Sequence, residues 1–134
     1  MQNIYVTGVF DLLHYGHLSL LANAKKLGDY LIVGVHSDPC VLNYKGQKPI
    51  LSYEERIKTL KYISIIDKII EQPALNPICV INDLPRPLTM VHGDDWLPPG
   101  WSICAKEKDV DIIQLPYTHN ISTTNIINRI KKSR

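Results

Sequence analysis

The amino-acid sequence predicts an α/β fold built on an open, mostly parallel sheet of about five strands. Apolar runs alternate with amphipathic segments along the whole chain, the pattern of β-α-β units. Residues 30–35 are almost wholly apolar, as a strand covered on both faces should be. Residues of unusual chemistry gather just after the strand-like runs, where open α/β sheets bind their ligands.

In chain order, residues 3–7 form a short β-rich run, and a loop follows that ends near Gly16. From there to Leu27 the apolar residues Leu20, Ala24 and Leu27 recur at helical spacing, and Gly28 stands as a C-terminal cap. After the strand at 30–35, the polar stretch 36–51 holds Gly46 and Pro49 and reads as a long functional loop. Ser52-Tyr53-Glu54-Glu55 has the S-x-x-E form of a capping box, so a helix starts there and buries Ile57, Leu60 and Ile63. A strand at 68–70 comes next. Pro77 opens a brief helix over 78–83, which Pro85 and Pro87 end. Strands at 88–92 and Asp111–Leu115 precede a last helix that begins at Ser122 or Thr123 and buries Ile126, Ile127 and Ile130. The reading contains four or five helices.

Length and composition narrow the function classes. A chain of 134 residues suits one compact domain over 1–134. With 45% hydrophobic and 21% charged residues it can build a core without a disulfide or metal staple. A formal net charge of +2 is too weak to argue for nucleic acid or a membrane as partner. Arg129, Lys131, Lys132 and Arg134 gather in the tail, where charge complementing a helix end outweighs a nucleic-acid patch. Cys40, Cys79 and Cys104 are scattered without a C-x-x-C spacing, which argues against zinc or redox motifs and fits reduced thiols in the cytoplasm. Neither a secretion signal nor a transmembrane segment is expected.

Four constellations carry chemistry. In Thr7-Gly8-Val9-Phe10-Asp11-Leu12-Leu13-His14-Tyr15-Gly16-His17, two histidines split by a glycine sit where a loop turns into a helix. The unpaired N–H groups of that opening turn favour an anion, Gly16 permits close backbone approach, and the imidazoles can donate to phosphate oxygens. A structural histidine pair or half of a metal site fits the spacing equally well. Ile121-Ser122-Thr123-Thr124 is an ordinary helix cap taken alone, and a second anion grip when placed beside the first. Lys45 and Lys48 are either solvated loop charges or the holders of a second anionic substrate. Gly93-Asp94-Asp95-Trp96 follows a strand, where a turn or cap is the default reading of paired acids. The P-loop, the dinucleotide fingerprint and the G-x-S-x-G elbow are all missing.

The run from Gly8 to His17 resembles the G-x-F-D-x-x-H-x-G-H signature of the cytidylyltransferase branch of the HxGH nucleotidyltransferases. Ile121-Ser122-Thr123-Thr124 resembles that family's second signature, and Gly93-Asp94-Asp95-Trp96 with Tyr53-Glu54-Glu55-Arg56 is similar to the glycerol-3-phosphate members. The resemblance implies a Rossmann-like sheet with helices on both faces, a homodimer, and in-line attack by an acceptor phosphate on the α-phosphorus of CTP, with Mg²⁺ on the triphosphate. It implies that His14, His17 and Lys45 are catalytic. Thr7, Gly8, Val9, Phe10, Asp11, Gly16, Gly93, Asp94, Ser122 and Thr123 would bind the nucleotide. Lys45, Lys48, Arg56 and Asp38 would bind the acceptor.

One departure stands out. Glycerol-3-phosphate members carry R-T-E-G before the second signature, where this chain reads Tyr117-Thr118-His119-Asn120. Gly34-Val35-His36-Ser37-Asp38 and Tyr44-Lys45-Gly46-Gln47-Lys48-Pro49 are closer to enzymes acting on phosphoethanolamine or phosphonates. The acceptor stays open among glycerol 3-phosphate, phosphoethanolamine, phosphocholine and hydroxyethyl- or aminoethylphosphonate. An adenylyltransferase of the same superfamily and a non-catalytic nucleotide-binding protein are the competing readings.

Overall fold

The computed structural model describes residues 1–133, so Arg134 of the basic tail lies outside the described residues. Five strands, β1 (Asn3–Gly8), β2 (Tyr30–His36), β3 (Lys68–Gln72), β4 (Leu88–Gly93) and β5 (Asp111–Leu115), form one sheet in the order β3-β2-β1-β4-β5. Every neighbouring pair is parallel. The predicted sheet is therefore the observed one, and wholly rather than mostly parallel.

Six helices accompany it among the described residues: α1 (Tyr15–Lys25), α2 (Asp38–Lys45), α3 (Tyr53–Leu60), α4 (Ile78–Ile81), α5 (Trp101–Lys108) and α6 (Thr123–Ser133). Successive strand residues face opposite ways, so neighbours in β1 enter different cores. Ile4 and Val6 pack with Leu31, Val33, Val35 and Val91 under Leu21 and Ala24 of α1 and Leu60 of α3. Tyr5 packs with Ile32 and Met90 under Ile81 of α4 and Trp101 and Cys104 of α5. The helices thus cover both faces. None of them is long and apolar enough to cross a membrane.

Four points differ from expectation. Residues 38–45 of the expected loop are helix α2: the Ser37 hydroxyl accepts the Cys40 N–H at 3.2 Å, Pro39 sits in the first turn, and Gly46 closes the end at φ 79°. Those start and stop signals were readable, but the polar composition masked them. Helix α5 was not foreseen. It lies between two left-handed residues, Gly100 (φ 87°) and Asp109 (φ 53°), and its N-terminus has no side-chain cap to signal it. Gly28 is not a left-handed cap, because Lys26 ends α1 in right-handed geometry. Its role is space: a Cβ there would lie 2.7 Å from the Gln2 carbonyl and from Ile4. Finally, Ile126 and Ile127 are half-buried, while Ile130 is 54% exposed at the far end of α6.

Candidate active site

Strand β1 is the topological switch point, with β2 on one side and β4 on the other. A cleft of about 550 Å³ opens beyond the carboxyl ends of these strands, a size suited to a small-molecule substrate. Thr7, Gly8, Val9, Phe10, Asp11, His14, Gly16, His17, Lys45, Lys48, Gly93, Ser122 and Thr123 all line it.

The histidines form the first turn of α1 themselves. His14 Nδ1 accepts the Gly16 N–H at 3.1 Å, and His17 Nδ1 accepts the His14 N–H at 3.2 Å, a capping box built of two imidazoles. An Nδ1 that accepts carries no proton, so each neutral ring bears its hydrogen on Nε2 and is a donor there. The rings stack with centroids 3.9 Å apart and 27° between planes. Gly16 makes this possible, since a Cβ would lie 2.8 Å from His14 Cε1. Burial first, then the neighbouring His14 and Lys45 charges, hold His17 down at about 3, and burial also lowers His14.

The loop before α1 is strained and clamped. Phe10 (φ 55°) and Leu12 (φ 49°) adopt left-handed geometry, which costs a non-glycine residue about 1–3 kcal/mol. Asp11 between them holds its surroundings in place. Its carboxylate accepts the Ile50 N–H at 2.7 Å and the Leu51 N–H at 2.9 Å, and its carbonyl accepts the Thr123 hydroxyl at 2.6 Å. This last bond ties the start of α6 to the signature loop. Ser122 Oγ caps α6 by accepting the Asn125 N–H at 3.0 Å, which leaves the Ser122 hydroxyl proton available to an anion. Asn120 takes φ 70° where the family pattern has glycine, and asparagine tolerates that region better than most residues.

Three expected binding residues sit elsewhere. Arg56 is wholly buried, donating to the carbonyls of Val9 (2.7 Å), His36 (2.8 Å) and Leu51 (3.2 Å) and to Asp38 Oδ1 (2.6 Å). Asp38 spends its other oxygen on the Tyr53 N–H at 3.3 Å. Neither lines the cleft; both brace the loops that do. Asp94 likewise accepts the Tyr117 N–H at 2.8 Å and so positions the segment after β5. Lys45, by contrast, ends α2 at the cleft, and Lys48 follows in the short loop.

His36, Tyr44, His92, Asp95, Trp96 and Tyr117 also line the cleft and were not foreseen as binding residues. His36 and His92 lie at the ends of β2 and β4, so the strand-end rule that singled out their neighbours could have found them. Burial first, then the charges of His92, Lys45 and Arg56, hold His36 at about 4.

This has a consequence for stability. The unfolded chain protonates histidine near pH 6.5, whereas the fold keeps His17 and His36 neutral down to about 3 and 4. As pH falls through that window the unfolded state takes up protons the native state refuses, so stability is lost on acidification. Each such histidine costs about 1.4 kcal/mol per pH unit. Urea denaturation is expected to show a clear drop between pH 6.5 and 4.5, above the carboxylate range. A flat profile there would contradict neutral burial of both rings.

Comparison with known proteins places this geometry. The family model described as cytidylyltransferase-like matches residues 5–129. The bifunctional protein HldE of Cronobacter sakazakii is 37% identical over 136 residues, covering 97% of this chain, and that of Campylobacter fetus is 34% identical over 129 residues, covering 96%. This chain spans only 28% of either relative's length. A lipopolysaccharide core biosynthesis protein from Thermoplasma volcanium superimposes with a TM-score of 0.75 at 26% identity, covering 88% of this chain and 98% of that one. A bifunctional NMN adenylyltransferase/ADP ribose pyrophosphatase from Francisella tularensis, solved with AMP and manganese, shares the fold with a TM-score of 0.67 at 18% identity, covering 100% of this chain and 43% of that one. The chain belongs to the cytidylyltransferase-like family of the nucleotidyltransferase superfamily.

Proposed function

We propose that this chain transfers CMP from CTP to the phosphate of a small phosphorylated alcohol, with glycerol 3-phosphate the first candidate, and releases pyrophosphate. The observation that carries the reading is the pair of helix N-termini, α1 and α6, tied together across one cleft by the Thr123–Asp11 bond. Each presents unpaired N–H groups and the positive end of a helix dipole, which favour a polyphosphate. His14 and His17 add two Nε2–H donors, and burial pushes both rings toward the neutral form. The acceptor phosphate oxygen attacks the α-phosphorus in line, and the bond to pyrophosphate breaks opposite it. No protein nucleophile is needed, because such transfers depend on positioning and charge neutralisation. Lys45 and Lys48 would meet the acceptor phosphate and the charge developing on the transferred group.

The donor set fits a Mg²⁺ carried in on phosphate oxygens. Among the described residues no group of three or more His, Cys, Asp or Glu side chains could hold a metal ion. The Asp11 carboxylate is engaged by backbone N–H groups, which leaves Asp95 as the cleft-facing acid to hold the ion beside the phosphates. When bound, the ion would neutralise charge on the leaving pyrophosphate. A homodimer working in the cytoplasm belongs to the same proposal.

The test is pyrophosphate release from each nucleoside triphosphate against glycerol 3-phosphate, phosphoethanolamine, phosphocholine, ribitol 5-phosphate and the two phosphonates. CTP with a phosphoalcohol is expected to be fastest. ATP outpacing CTP with every acceptor would overturn the choice of base. CTP binding without pyrophosphate from any acceptor would point to a non-catalytic binder.

A further inference from the structure

We propose that Thr7, which the resemblance gives to the nucleotide, instead joins His36 and His92 in the subsite that reads the organic part of the acceptor, and that this subsite selects a hydroxyl-bearing phosphate over a quaternary ammonium one. This rests on the nucleotidyl-transfer reading above. Thr7 pairs with Gly34, two residues before His36, and Val6 pairs with Val91, one residue before His92. The period of two along each strand therefore turns all three side chains to one side of the sheet. It is the side of Tyr5, Gln72 and Trp101, opposite the face that carries α1 and its histidines. His92 confirms the placement, with its ring 5.4 Å from that of Trp101. The cleft thus has a phosphate-gripping wall from α1 and α6, and a second wall whose lining includes these three residues.

The second wall has its own hydrogen-bonding character. The Gly93 carbonyl can only accept, so His92 Nδ1, 3.1 Å away, carries a proton, and in the neutral ring Nε2 offers a lone pair. This is the reverse of His14 and His17. Thr7 Oγ1 is buried in a residue only 4% exposed and has no hydrogen-bond partner. An orphaned buried hydroxyl beside a cleft is what a ligand hydrogen bond would satisfy. Below it, the Tyr5 hydroxyl is already committed to Gln72, and Gly34 leaves the room that the Tyr5 ring fills. His36 is held by Tyr44, its Nδ1 3.1 Å from the phenol oxygen.

A wall that both donates and accepts over a short span matches hydroxyl groups, which do the same. A trimethylammonium can do neither. It would also meet the positive field of Lys45 and Arg56, the charges that help hold His36 at about 4. Trp96 and Asp95 could attract a cation, but Trp96 is 43% exposed and Asp95 is exposed at the rim, where solvent weakens both.

Steady-state kinetics with Thr7→Val and His92→Phe test this. His92→Phe keeps an aromatic ring against Trp96 and Trp101, and the Gly93 carbonyl keeps its bond from Gln114. Each variant is expected to raise the acceptor KM about tenfold while the nucleoside triphosphate KM stays within about twofold. Thr7→Val should lose no thermal stability, because the hydroxyl has no partner to lose. Wild type is expected to favour glycerol 3-phosphate or ribitol 5-phosphate over phosphocholine by at least about tenfold in kcat/KM. Turnover with an unchanged acceptor KM in both variants, or with phosphocholine preferred, overturns the subsite alone. No pyrophosphate from any acceptor overturns the transfer reading and the subsite with it.

Discussion

His17→Ala is expected to lower kcat by about a hundredfold or more while the protein stays folded. The ring has two separate jobs. Its Nδ1 accepts the His14 N–H in the capping box, and its Nε2–H is the donor that would meet the transferring phosphoryl group. Loss of the cap costs only about 1 kcal/mol of stability. Removing a preorganised donor from a transition state commonly costs about 2.7–4 kcal/mol of barrier. The larger effect therefore falls on turnover. His17→Gln separates the jobs, because an amide oxygen can still accept from the backbone while its NH₂ donates outward. It should recover the stability and part of kcat. Near-normal turnover in a folded His17→Ala protein would remove the assigned role. The pH dependence should follow as well. Stacked at 3.9 Å, the two rings cannot both be charged at little cost, and His17 is held down at about 3, so kcat should not follow a titration of His17 near neutral pH.

Much of this is legible in the amino-acid sequence itself. Strand β5 keeps its expected bounds and the other four lie within two residues of theirs, because each is a short β-rich run between turn signals. The two anion-ready helix starts were legible for the same kind of reason: N–H groups, histidines and hydroxyls are local features. What stayed hidden depends on distant partners. Arg56 and Asp38 look like ligands in sequence, since charged residues near a motif usually face solvent. Only the packing of α3 against the signature loop turns them inward. Asp94 is similar, because the N–H it accepts belongs to Tyr117, 23 residues later. The Thr7 hydroxyl shows the opposite case. Its interest lies in having no partner, which no motif records. The tautomers of His14, His17 and His92 follow from backbone atoms a few residues away, yet they depend on loop angles such as φ 55° at Phe10 that non-glycine residues seldom adopt.

Arg56→Met is expected to destabilise the fold by about 3–5 kcal/mol, the range for breaking a buried ion pair by removing one partner. The guanidinium is fully buried and donates to four acceptors: three backbone carbonyls and the Asp38 carboxylate. Methionine fills much of the volume but leaves all four acceptors without that donor. A typical domain has only about 5–15 kcal/mol in total, so the variant should unfold at much lower urea. Arg56→Lys should be nearly as damaging. A single ammonium carries three donors at one point and cannot span the fan of a planar guanidinium. The damage should also reach the cleft. Val9 belongs to the signature loop, His36 ends β2, and Leu51 leads back to the loop holding Lys48. With nucleotide added to populate the native state, surviving Arg56→Met protein should show a raised acceptor KM as well as low stability. A purely local loss would instead leave KM untouched. A loss of stability below about 1 kcal/mol, the scale of one ordinary hydrogen bond, would mean that the carbonyls of Val9, His36 and Leu51 find other donors and that Arg56 is not what holds the two loops together.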